Sequence, residues 1–200
     1  MNKTVLLFVI AAAALMSCNQ KNVIITEPSN EELRKIIPEG NQIATDLMKS
    51  LQAELKSAIM EGGFENAIEV CNLKALPITE KIEKISNGNI SIKRTSFKYR
   101  NPENAPDDIE TSALEHFENL LAKNEVLPDQ YVQKVTKESI VQYYYYKPLI
   151  IENVCLGCHG NPENMDAKLL NQISQLYPED KATGYKEGDF RGLISVIIPE

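Results

Sequence analysis

Apolar residues recur at helical spacing in the first half of the chain. They form two successive stripes, and the pair Gly62-Gly63 between them predicts the end of the first helix. The first stripe consists of Ile43, Leu47, Met48, Leu51, Leu55, Ala58 and Ile59, and the second of Phe64, Ala67, Ile68, Cys71, Ala75, Ile78 and Ile82. Pro77 falls inside the second helix, where we expect it to cause a kink.

The second half of the chain mixes predicted strands and helices. Strands are predicted over residues 89–99, 131–137, 140–146 and 193–198, and helices over residues 106–122 and 162–176. Because the two kinds of element do not alternate regularly, this order favours an α+β domain with an antiparallel sheet.

The first residues have the pattern of an export signal. Lys3 precedes an apolar run over residues 5–15, which is too short to span a bilayer but suits the core of a signal peptide. The run ends in Leu15-Met16-Ser17-Cys18, which resembles the lipobox of bacterial lipoproteins. We therefore predict cleavage before Cys18 and lipidation of that cysteine; the alternative is an ordinary signal peptide that happens to contain a cysteine.

These features place the protein in the bacterial cell envelope. Residues 1–17 are the predicted signal peptide, residues 18–30 a polar tether, and residues 31–200 one domain that is long enough to bury a core. The lipid on Cys18 is expected to anchor this domain to a membrane, and we favour the periplasmic side of the outer membrane. The formal net charge of −7 argues against nucleic acid and anionic lipid headgroups as partners.

The clearest chemical signal is the segment Cys155-Leu156-Gly157-Cys158-His159. The spacing C-x-x-C-H is the attachment signature of c-type haem, because each thiol can add to one vinyl group while the histidine reaches the iron. A reactive dithiol, a structural zinc site and a disulfide loop without a cofactor are the alternatives. A dithiol leaves His159 without a role, and zinc needs two further ligands and must accept two adjacent residues.

One cysteine has no assigned partner once Cys18 carries lipid and the C-x-x-C-H cysteines carry haem. Iron in a cytochrome usually takes a sixth ligand from Met, His or Cys. Cys71 lies on the apolar stripe of the second helix and is a candidate for this ligand, or else a small buried apolar residue. His116 is the rival ligand, although a histidine in this position is more often a satisfied or half-exposed residue of a helix.

Basic residues crowd into one short segment, which contains Lys93, Arg94, Lys98 and Arg100. Haem carries two propionate carboxylates, and guanidinium groups bind carboxylates with paired donors. Strand alternation places Arg94, Lys98 and Arg100 on one side, so we predict that these three residues bind the propionates. A solvated strand face is the alternative. Tyrosines 143–146 could contact the porphyrin, but strand composition also accounts for them.

Four segments together resemble a family of bacterial single-haem c-type domains with a PAS-like fold. They are AIEVC at 67–71, RTSFKYRNP at 94–102, VCLGCHG at 154–160, and DKATGY at 180–185 with GDFRG at 188–192. The resemblance implies a PAS-like antiparallel sheet with flanking helices, one covalent haem c, and His159 and Cys71 as axial ligands. Such domains occur as stand-alone exported proteins or as the sensor portions of signalling proteins.

The predicted function follows from this ligation. A thiolate donates electron density and stabilises ferric iron, so haem held by His159 and Cys71 should have a low reduction potential. Six ligands leave no open position on the iron, and we therefore do not predict an enzyme. We predict a membrane-anchored monohaem cytochrome that transfers electrons or senses redox state with an unidentified partner protein. The alternatives are a CO, NO or redox sensor in which Cys71 leaves the iron, and a haem-free dithiol protein.

Overall fold

The computed structural model of the protein describes residues 23–86 and 89–200, so Cys18 and the predicted signal peptide lie outside the described residues. The strands are β1 Val23–Thr26, β2 Ser91–Thr95, β3 Tyr131–Lys137, β4 Ile140–Ile150 and β5 Phe190–Pro199. The helices are α1 Asn30–Ile85, α2 Asp108–Ala122, α3 Leu156–His159 and α4 Ala167–Leu176, with short 3-10 helices at Pro102–Asn104, Asn153–Cys155 and Pro162–Asn164.

The strands form one antiparallel sheet in the order β1-β3-β4-β5-β2. β3 and β4 are joined by a tight turn, in which Glu138 and Ser139 both have positive φ, as two-residue hairpin turns require. β1 differs from the prediction, since residues 23–26 belong to the predicted tether but pair with residues 134–137 of β3. Its sequence Val-Ile-Ile-Thr favours a strand, and polar neighbours on both sides hide this short signal.

Helices cover both faces of the sheet. Tyr143 and Tyr145 pack in the cluster that contains α1 residues, whereas Tyr144 and Tyr146 pack in the cluster formed with α2. Successive strand residues point to opposite faces, so an unbroken run of tyrosines supplies both clusters. All four rings are buried in the core and none lines the cavity described below, so the suggested contact with a porphyrin is wrong. The predicted α+β fold, an antiparallel sheet with flanking helices, is confirmed.

α1 is a hairpin of two helical arms rather than one straight helix. Gly62 and Gly63 leave the helical conformation, and Gly63 has a φ of 71°, which glycine adopts without steric cost. Beyond this break the chain turns back along the first arm. The Asn66 side chain, just after the break, donates to the Ala58 carbonyl of the first arm at 2.9 Å. The predicted helix end at Gly62-Gly63 is confirmed, whereas the second arm continues through Pro77 with helical backbone angles.

Contacts along the hairpin hold the second arm in place. Lys74 forms an ion pair with Glu54 of the first arm, and α4 packs Leu169 and Ile173 against Ile68. The second arm, which carries Cys71, is therefore fixed between the first arm and α4.

None of the helices in the described ranges is long and apolar enough to cross a membrane.

Candidate functional site

A cavity lies between the two arms of α1, the loop after β2 and the segment around α3. Leu51, Leu55, Phe64, Ala67, Ile68, Ala75, Leu76 and Ile78 form much of its apolar wall. Its chemically distinctive lining consists of Cys71, Arg94, Arg100, Cys155, Cys158, His159, Tyr177 and Arg191. The fold thus brings Cys71 to the C-x-x-C-H motif, although the two are far apart in the sequence.

Close packing places the motif against the second arm. Gly157 lies under the ring of Phe64, and a Cβ at this position would overlap that ring. Gly160 caps the C-terminal end of α3, where its amide donates to the Leu156 carbonyl at 2.9 Å. Cys155 and Cys158 are free thiols in this arrangement, and burial raises the pKa of the Cys158 thiol.

One hydrogen bond fixes the orientation and the tautomer of His159. Its Nδ1 lies 2.6 Å from the backbone oxygen of Ala182, and since a carbonyl only accepts, Nδ1 carries the proton. Burial lowers the pKa of His159 well below its ordinary value, so the ring is neutral at neutral pH and Nε2 has a free lone pair. A neutral imidazole held in this way by a carbonyl is the usual arrangement of a histidine that binds a metal.

Cys71 lines the cavity from the second arm and is half-buried. Burial raises the pKa of its thiol, while the positive charge of Arg94 acts in the opposite direction. The thiolate is the form that binds metals. Burial of Cys71 therefore disfavours its thiolate form, whereas the nearby guanidinium groups favour that form.

His116, the rival ligand, lies away from this cavity. Its ring stacks on Tyr131 with a centroid distance of 4.2 Å and meets Phe117 edge-on at 5.6 Å. Both partners belong to the cluster between α2 and the sheet. The structure therefore places His116 among core aromatic residues, whereas Cys71 lines the same cavity as His159.

Three guanidinium groups line the cavity. Two belong to Arg94 and Arg100, which we predicted as propionate partners, and the third belongs to Arg191 at the start of β5. We did not predict Arg191, because the pairing of β5 with β2 brings this residue to the cavity. No local sequence pattern reveals that pairing. The signal that could have pointed to Arg191 is its position within GDFRG, one of the segments that carry the family resemblance.

Lys98 does not line the cavity. β2 ends at Thr95, so the alternation from which we placed Lys98 beside Arg94 does not extend that far. The Lys98 Nζ donates to the Thr183 carbonyl at 2.5 Å and lies 4.2 Å from the centroid of the Tyr185 ring. The geometry therefore gives no support to a contact between Lys98 and a propionate.

Lys93 points away from the other basic residues of its segment, as strand alternation predicts. Its Nζ lies 2.7 Å from an oxygen of Glu110 in α2, on the other side of the sheet. Lys93 therefore neutralises a buried acid and does not belong to the cavity.

The zinc alternative finds no support in the arrangement of side chains. Across residues 23–86 and 89–200, no three or more His, Cys, Asp or Glu side chains are grouped so that they could hold a metal ion. A structural zinc ion normally takes four such ligands in a tetrahedron. The described residues around the C-x-x-C-H motif do not provide that set.

Known proteins resemble the chain over nearly its whole length. The model of the Tll0287-like family matches residues 11–199. Among solved structures, the crystal structure of the cyanobacterial heme-protein Tll0287 matches with a TM-score of 0.57 and 25% sequence identity, covering 86% of this chain and 98% of that chain. No curated protein matches the chain.

Proposed function

Because the chain belongs to the Tll0287-like family, we propose that it is a monohaem c-type cytochrome. Cys155 and Cys158 would attach the haem through thioethers, and His159 and Cys71 would be the axial ligands. The observation that carries this proposal is that all four side chains line one cavity, in which the Nε2 of His159 has a free lone pair. The structural neighbour, named a heme-protein, supports the same cofactor.

The remaining lining is chemically suited to haem. Both arms of α1 contribute apolar side chains that suit the porphyrin plane. The buried Nε of Arg100 has no hydrogen-bond partner among the described residues. A buried donor of this kind is costly unless an acceptor satisfies it. The Arg94 side chain is half-buried in the same cavity and forms no hydrogen bond or ion pair with the described residues. Propionate carboxylates are acceptors of the required charge.

The protein residues determine what the cofactor can do. Haem supplies the one-electron chemistry of its iron. His159 offers a neutral nitrogen held by the Ala182 carbonyl, and Cys71 offers a thiolate that favours the ferric state and hence a low potential. With both axial positions filled by side chains, we propose electron transfer or redox sensing rather than catalysis.

We further propose that a lipid on Cys18 anchors the domain to the bacterial envelope, facing the periplasm. With the native signal peptide, Cys18→Ala is expected to abolish incorporation of a labelled fatty acid, because the acceptor thiol is missing. The same variant behind a signal peptide that is cleaved without lipidation should fractionate with soluble periplasmic proteins. Cys71→Ala serves as the control and should remain acylated. Labelling of Cys18→Ala would contradict lipidation at this residue.

A sensor of CO, NO or redox state is the second candidate, and the position of Cys71 favours it. Burial raises the pKa of the Cys71 thiol, so a proton competes more strongly with the iron for this sulfur once reduction lowers the charge on the iron. The arm that carries Cys71 begins after the Gly62-Gly63 break and packs on the first arm and α4. Loss of the Cys71 ligand would remove one of the contacts that hold this arm, and a partner protein could recognise the resulting change.

Addition of CO to the reduced protein separates the two candidates. For an electron carrier that keeps both ligands, we expect the Soret band of the reduced wild-type protein to stay unchanged. Cys71→Ala is the positive control, because it opens one axial position and should bind CO. A shifted Soret band in the wild type would refute the strict carrier and favour the sensor.

A further inference from the structure

Arg191 brings a third guanidinium group to the cavity, beside Arg94 and Arg100, while Lys74 and Glu54 in the same lining pair with each other. The Arg191 side chain forms no hydrogen bond or ion pair with the described residues. Burial lowers its pKa, and the like charges of Arg100 and Arg94 act in the same direction. The acid that forms an ion pair in this group is Asp180, which lies 3.1 Å from Arg100. The described lining therefore has more positive than negative charge.

The backbone holds Arg191 firmly in this place. The hydroxyl of Ser96 donates to the Arg191 carbonyl at 2.8 Å. The next residue, Gly192, has a φ of 142° and lies so close to the Thr95 carbonyl that a Cβ would overlap it. The end of β2 thus clamps the start of β5, and the position of Arg191 is part of the sheet rather than of a free loop.

Tyr185 connects Arg191 to the proposed proximal ligand. The guanidinium carbon of Arg191 lies 5.4 Å from the centroid of the Tyr185 ring. That ring in turn meets the ring of His159 edge-on, with 6.3 Å between the centroids. Lys98 contacts the same tyrosine but is exposed and donates to Thr183, so of the two cations on this ring only Arg191 also lines the cavity.

We propose that Arg191 binds a haem propionate and takes the part that the sequence analysis assigned to Lys98. The inference rests on the proposed function, since the carboxylate belongs to the haem. The two propionates together with Asp180, which pairs with Arg100, then balance the three guanidinium groups. Paired donors of a guanidinium suit a carboxylate better than a single ammonium group does.

Replacement of Arg191 by glutamine tests this assignment against Lys98→Gln, which removes the same charge outside the cavity. Both variants should keep one covalent haem by mass and the wild-type ferric spectrum. Arg191→Gln is expected to lower the ratio of reduced to oxidised protein about tenfold at the wild-type midpoint potential, which is ~59 mV for a one-electron couple. The reason is that an unpaired propionate charge stabilises the oxidised iron. Lys98→Gln should shift this ratio less than twofold.

Two further variants separate the effect of the Arg191 charge on the potential from effects of side-chain volume and of folding. Arg191→Met is a second neutral replacement and should show the same shift, whereas Arg191→Lys keeps the charge and should stay near the wild-type potential. The inference is overturned if the neutral variants keep the wild-type potential while still carrying covalent haem. A wild-type protein without covalent haem would instead refute the proposed function, and this inference with it.

Discussion

Replacement of Cys71 by alanine is expected to leave the haem attached while changing its ferric spectrum and raising its reduction potential. In the proposed function the haem is attached through Cys155, at the end of the 3-10 helix before α3, and Cys158 on α3, whereas Cys71 lines the cavity from the second arm of α1. The variant would therefore keep both attachment sites and lose the proposed anionic ligand that stabilises ferric iron. We expect the ratio of reduced to oxidised protein to change by about a hundredfold or more, ~120 mV for a one-electron couple.

His116→Ala is the matched control for this experiment, because it removes the rival ligand. Its ring packs on Tyr131 and Phe117 in the core cluster beside α2, so its loss should reduce stability without altering the ferric spectrum. An unchanged ferric spectrum in Cys71→Ala would eliminate Cys71 as a ligand. A changed spectrum in His116→Ala would point to His116 instead.

The second large effect is expected from Arg100→Met, which should lower the free energy of unfolding by roughly 3–5 kcal/mol. The Arg100 Nη2 donates to the Cys158 carbonyl at 2.6 Å and to the Asp180 carboxylate at 3.1 Å. The two side chains are only 10% and 9% exposed. Methionine has a similar length, but it leaves the Asp180 charge and the Cys158 carbonyl buried without their donor. Urea denaturation of the holoprotein measures this change.

The effect of Arg100→Met should reach His159 as well. Asp180 accepts a hydrogen bond from the Ala182 amide at 2.8 Å, and the Ala182 carbonyl accepts the one from His159 Nδ1. Loss of Arg100 therefore loosens the segment that fixes the proposed proximal ligand.

Lys98→Met is the control for the loss of one positive charge. Lys98 is exposed and lies outside the cavity, so this variant should change stability by less than about 1 kcal/mol. Equal losses of stability in the two variants would show that the ion pair with Asp180 is not what distinguishes Arg100. In the double variant Arg100→Met with Asp180→Asn, we expect part of the lost stability to return, because no charge is left unpaired.

The elements that the sequence predicts well are those whose pattern is local and repeated. Both arms of α1 have apolar residues at helical spacing, while the β3–β4 hairpin and β5 are rich in β-branched and aromatic residues, and the structure confirms these elements. β1 could not be recognised, because a strand of four residues has little period of its own and its partner β3 lies more than a hundred residues further along. The backbone stays helical through Pro77, and the predicted kink at this residue remains a prediction.

The candidate site likewise contains residues that the sequence predicts and residues that only the fold brings together. Cys155, Cys158 and His159 are predictable because their chemistry depends on spacing within one short segment. The meeting of Cys71 with this motif depends on how the hairpin folds back at Gly62-Gly63, which the residues alone do not reveal. For the basic residues, the extrapolated strand alternation failed beyond Thr95, so Lys98 was included and Arg191 was overlooked.

The central claim is that haem is attached covalently through Cys155 and Cys158, and mass spectrometry tests it most directly. The protein should be exported from cells that mature c-type cytochromes, denatured and treated with an alkylating reagent. The account predicts the added mass of one haem, with these two cysteines protected and Cys71 alkylated. A polypeptide that lacks the mass of haem and carries the alkylating reagent on all three cysteines would contradict it.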